Sequence, residues 1–506
     1  MKSLFRVFIL TVVPFFLFVS TVISEVSFQE PSNYGVGQQP NSIIKGDFNE
    51  DGDLDLVLAC LSSTSNNVFV LLGNGDGTFT VANSFSVGNA LTCITTGDFN
   101  ADTHLDLAAT EYEYISSGMG RLFTLLGNGD GTFQDAGSYD AAYHPWFVRM
   151  GDFDKDGNLD LVVAATDYWA VYLWKGNGDG TFQVPKMILS IVLPRFVVSG
   201  DLNDDTALDL VVASPEKMND ENVIYVLLGN GDGTFQNPRD NNAYYPTGGI
   251  PKNIAIGDFN GDTRLDLAVT NSSPDNVSIL LGNGDGTFAV KVDYGVGPYP
   301  IPIVAGDFDN NTATDLIAGN FSTNTIYILR GKGDGTFEDA GYHEVGQAPS
   351  SMVNGDFNED GSLDLAVANY SSNNVSVLIN SGNTDNDNDS HTFCFIATAA
   401  YGSPFTSYVK TLGEFRDRFL LTNTAGTMLV NLYYSCSPPV AAFISKHEHI
   451  KMLVRWSLLP LVGISYLALH YGVTITALVV IFPLSLMIFV FVLFRRKFLS
   501  ARCIGE

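Results

Sequence analysis

The sequence predicts an all-β fold: a seven-bladed β-propeller of four-stranded antiparallel blades, followed by a small helical C-terminal module and one or two transmembrane helices. Three observations carry this expectation. The string Gly-Asp-Phe or Gly-Asp-Leu recurs seven times at a period of roughly 50 residues, the mark of a repeat array. A second string, Gly-Asn-Gly-Asp-Gly-Thr-Phe, follows most copies of the first. Short Val- and Leu-rich runs lie between them, bounded by turn residues, as strands do.

The first string begins at Gly46, Gly97, Gly151, Gly200, Gly257, Gly306 and Gly355. The second begins at Gly73, Gly127, Gly176, Gly229 and Gly282, and at Gly331 with Lys332 in place of Asn. The seventh repeat keeps only a worn form, Asn380-Ser381-Gly382-Asn383.

Each repeat reads as four strands. The first leads into Gly-Asp-Phe, as Ser42-Ile43-Ile44 does. The second follows an acidic loop and is almost wholly apolar: Leu54 to Ala59, Leu159 to Ala165, Leu208 to Ala213. Such runs suit strands covered on both faces. The third, Asn67 to Leu72, ends in the glycine-rich turn, and the fourth starts at Thr-Phe, as in Thr78 to Val81. The array stops after a third strand, Asn374 to Ile379, while Ser27-Phe28-Gln29 resembles the Thr-Phe-Gln that opens fourth strands at Thr132, Thr181 and Thr234. Residues 26–36 are therefore expected to supply the missing strand of blade seven and close the ring. An open solenoid is the other architecture, and it leaves this offset unexplained.

The chemistry lies between the first and second strands. The first loop places oxygen side chains at positions 1, 3, 5 and 9: Asp47, Asn49, Asp51 and Asp55. The second has Asp98, Asn100, Asp102 and Asp106, and the third Asp152, Asp154, Asp156 and Asp160. The fourth has Asp201, Asn203, Asp205 and Asp209, and the fifth Asp258, Asn260, Asp262 and Asp266. The sixth has Asp307, Asp309, Asn311 and Asp315, and the seventh Asp356, Asn358, Asp360 and Asp364. Alternating oxygen ligands in a tight loop fit Ca2+, and three carboxylates brought together repel without a cation. Up to seven structural calcium ions follow. Position 7 varies freely (Asp53, His104, Asn158, Ala207, Arg264, Ala313, Ser362), as a backbone-carbonyl ligand allows. Position 12 is Leu58 in the first loop, so this is not an EF-hand, which needs Glu there. Turn-building by Asp and Asn explains one or two oxygens per loop but not the fixed fourfold spacing. The sixth loop, with Asn-Thr in place of Asp-Gly or Asp-Thr, departs furthest.

The glycine-rich turns read as structural, with Phe79, Phe133, Phe182, Phe235, Phe288 and Phe337 packing between neighbouring blades. A phosphate cradle would need a Walker-type lysine leading into a helix, which does not follow.

On these strings residues 26–380 resemble the FG-GAP/VCBS repeat family, found in integrin α-subunits and many bacterial surface proteins. The resemblance implies calcium in the Asp-x-Asn/Asp-x-Asp-Gly-x-x-Asp loops on one face. It also implies adhesion or ligand recognition through the opposite face or the rim.

The rest of the chain places the propeller outside the cytoplasm. Lys2 and Arg6 precede an apolar run, Val7 to Val19, and Val22-Ile23-Ser24 offers a cut after Ser24, giving a signal peptide over 1–24. An uncleaved anchor is the alternative. Residues 25–380 form the propeller and 381–393 an Asp/Asn-rich linker. Residues 394–455 contain Cys394-Phe395-Ile396-Ala397-Thr398-Ala399-Ala400-Tyr401-Gly402-Ser403-Pro404 and Tyr433-Tyr434-Ser435-Cys436-Ser437-Pro438-Pro439. They resemble a CFI-box module of exported bacterial proteins, which implies envelope sorting or anchoring. Residues 456–497 form the membrane anchor. Val473 to Phe494 is long enough to span, and Arg495-Arg496-Lys497 sets a cytoplasmic tail over 498–506. Trp456 to Leu469 is shorter and contains Pro460 and Gly463; it lies in the interface or completes a hairpin.

Against 26 Lys and Arg, 55 Asp and Glu give a net charge of −29, which excludes nucleic acid as a partner. Five cysteines do not make a disulfide scaffold. Cys60 and Cys93 either pair or stay buried and free, and Cys394 with Cys436 forms a candidate bridge. His447-Glu448-His449 reads as a polar surface near the membrane before a metal site. No enzyme is expected. The longest interval, Gly200 to Gly257, inserts Pro215 to Glu221 and Asp240 to Pro246, and neither brings a histidine. The expected function is calcium-dependent adhesion or recognition of an extracytoplasmic protein or polysaccharide. The alternatives are a structural envelope component and, further off, a propeller-based hydrolase or lyase.

Overall fold

The computed structural model describes residues 26–61, 67–112, 119–141, 144–167, 169–218 and 221–381. All belong to one compact unit, Ser24–Asn383. The expected signal peptide, the linker from 382 onward, the CFI-box-like module, the membrane anchor, Cys394, Cys436 and the His447 cluster lie outside the described residues.

The described chain is a seven-bladed propeller. Blade one is β2 (Pro40–Gly46), β3 (Asp55–Cys60), β4 (Val68–Gly73) and β5 (Phe79–Phe85). Blade two is β6 (Leu91–Gly97), β7 (Asp106–Glu111), β8 (Arg121–Gly127) and β9 (Phe133–Asp140). Blade three is β10 (Pro145–Gly151), β11 (Asp160–Ala165), β12 (Ala170–Trp174) and β13 (Lys186–Ser190). Blade four is β14 (Phe196–Gly200), β15 (Asp209–Met218), β16 (Glu221–Leu227) and β17 (Tyr244–Pro246). Blade five is β18 (Ile250–Gly257), β19 (Asp266–Ser272), β20 (Asn276–Leu280) and β21 (Val292–Gly295). Blade six is β22 (Pro300–Gly306), β23 (Asp315–Asn320), β24 (Thr325–Gly331) and β25 (Phe337–Glu344). Blade seven takes β26 (Pro349–Gly355), β27 (Asp364–Asn369) and β28 (Asn374–Leu378) from the end of the array and β1 (Ser32–Gly35) from its start.

The ring closes as the offset predicts. β1 runs antiparallel to β28, with Ser32 opposite Val377 and Gly35 opposite Asn374, and Phe28 bridges Asn380. β1 covers β28 and becomes the short outer strand of blade seven, as in a closed propeller.

The second strands fill the interior. Every residue of β3, β7, β11, β19, β23 and β27 is buried. Sandwiched between two strands and two neighbouring blades, they have no solvent face, hence their continuous apolar sequence. Fourth strands start later than expected in blades three, four, five and seven, and in blade seven β1 begins at Ser32, beyond the Phe28 bridge. Phe182, Phe235 and Phe288 make only isolated bridges, and β13, β17 and β21 begin beyond them. Pro185 and Pro238 account for the delay in blades three and four, since proline cannot donate to the ladder.

Cys60 and Cys93 are both buried and free. Burial pushes the Cys60 thiol up to about 12. The insertion in the longest repeat is structural: Glu216 pairs with Arg239 at 2.9 Å and accepts from the Tyr225 hydroxyl at 3.0 Å.

Candidate metal centres and the face opposite them

Each acidic loop joins the end of a first strand to the start of a second, so all seven lie at the same end of the blades. Their backbone follows one pattern. The position-6 amide donates to the position-1 carboxylate at 2.7 to 3.1 Å in every loop. The position-5 amide donates to the position-3 side chain. The position-7 amide donates to the position-5 side chain. The loops therefore share one conformation, and their side-chain oxygens gather around it.

Position 6 is left-handed throughout. Gly52, Gly157 and Gly361 meet this freely, but Thr103, Thr206, Thr263 and Thr312 hold φ of 79°, 68°, 71° and 73°. A β-branched residue resists that region. The loop hydrogen bonds hold it there in four repeats.

Position 9 does something different. Asp55, Asp106, Asp160, Asp209, Asp266, Asp315 and Asp364 are fully buried. One oxygen of each accepts from the Phe or Leu amide at position 2, at 2.8 to 3.0 Å. The other accepts from the first residue of the glycine-rich turn, at 2.7 to 2.9 Å. Each carboxylate thus ties acidic loop to turn within its blade. Burial, with the position-1, -3 and -5 acids adding repulsion, pushes Asp55, Asp160, Asp209 and Asp364 up to about 6 and Asp315 to about 7. Asp106 and Asp266 shift the same way for the same reasons.

The donor set fits a hard cation. Asp152, Asp154 and Asp156 bring one carboxylate oxygen each within 4.8 Å of one another, and so do Asp307, Asp309 and Asp315. The sixth loop, which departs furthest in sequence, thus assembles three carboxylates. In the first loop Asp47 Oδ1 is buried without a hydrogen-bond partner, a costly state for a carboxylate that a cation relieves. The candidate donor atoms are all oxygen, the chemistry that suits a hard cation over softer metals.

The glycine-rich turns face the preceding blade. The Gly77 amide donates to the Phe357 carbonyl at 2.8 Å, and Gly131, Gly180, Gly233, Gly286 and Gly335 repeat this onto Phe48, Phe99, Phe153, Leu202 and Phe259. These amides are spent between blades. The turn phenylalanines pack on the same partners. Ring centroids lie 5.4 Å apart for Phe79 and Phe357, 5.9 Å for Phe48 and Phe133, and 5.6 Å for Phe99 and Phe182.

The opposite end of the blades carries features that no repeat string announces. Tyr112 follows a second strand, and His144 and Trp146 open a first strand, so both sit at the end away from the acidic loops. Tyr112 stacks on His144 at 4.2 Å and meets Trp146 edge-on at 6.3 Å. Arg195, just before β14, lies over Trp146 at 5.9 Å. Lys252 lies over Tyr299 at 4.9 Å, Tyr299 meets Phe321 at 5.9 Å, and Phe321 meets Tyr370 at 6.1 Å. Aromatic and cationic groups thus line this end as an arc of two clusters, one over blades two to four and one over blades five to seven. The seven innermost strands carry Lys45, Arg149 and Lys252 and no carboxylate.

Comparison with known families decides the lineage. An FG-GAP-like repeat profile matches residues 47–109, 111–163, 152–212, 201–269, 258–318 and 307–367. The chain belongs to the FG-GAP-like repeat family. No curated protein matches this FG-GAP-like chain. Among solved structures, BBS1N in complex with ARL6DN, soaked with lead, is 12% identical, with a TM-score of 0.50 over 72% of this chain and 99% of that one. A lectin from Agrocybe aegerita that recognises non-reducing terminal N-acetylglucosamine is 17% identical, with a TM-score of 0.44 over 68% of this chain and 96% of the lectin. At such identities the likeness to BBS1N is one of fold.

Proposed function

We propose that this protein is an exported, membrane-anchored, calcium-binding FG-GAP-like propeller that recognises an extracytoplasmic protein or polysaccharide at the cell envelope. It binds rather than catalyses, as FG-GAP-like repeats typically do. Recognition rests on one observation: the arc of Tyr112, His144, Trp146, Arg195, Lys252 and Tyr299 on the face away from the acidic loops. Aromatic rings and guanidinium groups are the side chains that dominate binding surfaces, and these sit in a chain that is otherwise strongly acidic. Calcium would be held by the side chains at positions 1, 3, 5 and 9 with the position-7 carbonyl. Its contribution is positive charge among acids that otherwise repel, which fixes the loops and leaves the far face free.

The test is a pull-down with the full chain in calcium, offering envelope proteins and polysaccharides, beside the Trp146→Ala/Arg195→Ala variant. A partner held by the wild type and lost by the variant supports recognition through this face. Equal capture by both places the contact elsewhere. No capture by a folded, calcium-loaded chain favours a structural envelope component.

A further inference from the structure

The seven loops are not equivalent, and one pair of positions separates them. Position 3 is Asn in five loops: Asn49, Asn100, Asn203, Asn260 and Asn358. In those blades the residue just before the glycine-rich turn is aliphatic: Leu72, Leu126, Leu228, Leu281 and Ile379. Position 3 is Asp in loops three and six, as Asp154 and Asp309, and there the pre-turn residue is Lys175 or Arg330. Acid and base arrive together, and neither occurs without the other.

The structure shows why these positions communicate. The pre-turn residue and the position-3 residue of one blade meet beneath the third glycine of the next blade's turn. Leu72 and Asn49 both lie under Gly131, and Ile379 and Asn358 under Gly77. In blade three the Lys175 stem lies under Gly233, as the leucines do in their blades. Its ammonium reaches Asp154 Oδ2 at 2.7 Å and donates to the Asp232 carbonyl at 2.9 Å. The Asp154 side chain is only 9% exposed, so this pair is poorly screened by solvent. In blade six Arg330 takes the same pre-turn position, pairs with Glu338 and adds a weaker positive influence on Asp309.

We propose that Lys175 and Arg330 are resident counter-cations that set the calcium demand of loops three and six. This rests on the calcium reading above and goes beyond it by ranking the sites. Counted over positions 1, 3, 5 and 9 alone, an Asn-type loop holds three carboxylates, at positions 1, 5 and 9. Loop three holds four, and Lys175 returns it to the same balance. Loop six holds three, because Asn311 occupies position 5, and Arg330 brings it below the Asn-type balance, as Arg264 beside Asp262 at 3.7 Å does for loop five. Calcium affinity follows ligand charge, so loops five and six are the weaker sites and loop three is held near the other Asn-type loops only by its lysine.

The experiment uses the full chain, followed by calcium calorimetry and by melting in calcium and in chelator. Lys175→Met keeps the stem under Gly233 and deletes the charge. It is expected to tighten one equivalent of calcium about tenfold and to lower the melting temperature in chelator more than in calcium. Asp154→Asn/Lys175→Met rewrites loop three as an Asn-type loop and is expected to restore both values. Asp154→Asn alone, which keeps the lysine, is expected to weaken one equivalent about tenfold, and it serves should Lys175→Met fail to fold. An unchanged isotherm with equal melting losses in calcium and chelator makes Lys175 a packing residue and overturns the inference alone. No calcium uptake by the wild type overturns the calcium reading itself.

Discussion

Blades one and seven make the same contacts from different chain. In blade one the Gly73 amide meets Asp55, the Gly77 amide caps the preceding blade's Phe357 carbonyl, and Phe79 packs on the Phe357 ring. Blade seven has lost the glycine-rich string. There the Asn380 amide meets Asp364 at 2.7 Å, and the Asn380 side chain caps the preceding blade's Phe308 carbonyl at 2.6 Å. Phe28, from the other end of the propeller, packs on the Phe308 ring at 6.1 Å. Tyr34 then passes the pattern forward, its hydroxyl accepting from the Phe79 amide at 3.1 Å. The string Gly-Asn-Gly-Asp-Gly-Thr-Phe is thus one way to meet three demands: an amide for the buried Asp, a donor for the neighbour's carbonyl, and a ring between blades.

The strongest way to break this comparison is to remove residues 26–36. That exposes β28, withdraws Phe28 and Tyr34, and is expected to cost on the order of 5 kcal/mol or more. Chemical denaturation reads it, and an unchanged midpoint would show that the ring does not depend on closure.

Asn380→Ala sharpens the point. It strands the buried Phe308 carbonyl and the half-buried Leu363 carbonyl and is expected to cost about 2 to 3 kcal/mol. Asn128→Ala, at the corresponding turn of blade two, removes one exposed bond to Thr132 and is expected to cost about 0.5 kcal/mol. Equal losses would erase the distinction between the two blades.

Acidity probes what all seven blades share. The position-9 aspartates have folded pKa values raised above the usual 3.8, so the folded state binds more protons than the unfolded one between about 4 and 7. Their effect leaves stability intact below pH 3.8 and removes it as pH rises through about 6. In chelator the melting temperature is therefore expected to rise as pH falls from about 7 to about 5, and calcium is expected to flatten that slope. A chelated protein whose melting point falls over this range would contradict the burial of these groups as charges.

The smallest effect separates loops by their position-6 residue. Thr263→Gly relieves a left-handed threonine and is expected to stabilise by about 1 kcal/mol, while Gly157→Thr is expected to cost a similar amount. Denaturant midpoints measure both.

The propeller was legible because a repeat multiplies weak signals. One acidic loop reads as a turn, but seven at fixed spacing read as an array, and the missing strand could be placed from Ser27-Phe28-Gln29. What stayed hidden depends on residues that meet only after folding. Position 9 reads as one more calcium oxygen, yet it also clamps the turn through backbone amides that carry no sequence signature. Asn380 looks like decay of a motif, yet its amide and side chain replace two glycines. The signal for Lys175 was present, as a basic residue where five blades have Leu or Ile, but it gains meaning only once Asp154 lies beside it. The two aromatic clusters, from Tyr112 to Arg195 and from Lys252 to Tyr370, each draw on three blades, and no local pattern links their members.

The closing strand also governs how the propeller bears load. β28 is the last strand before the chain leaves the ring, and it is hydrogen-bonded to β27 on one side and β1 on the other. Tension entering beyond Ser381 therefore pulls on an interior strand and is shared by two ladders. Without β1 the same pull would peel a single ladder from the edge, one pair at a time. Under such a pull β1 would serve as a latch on β28.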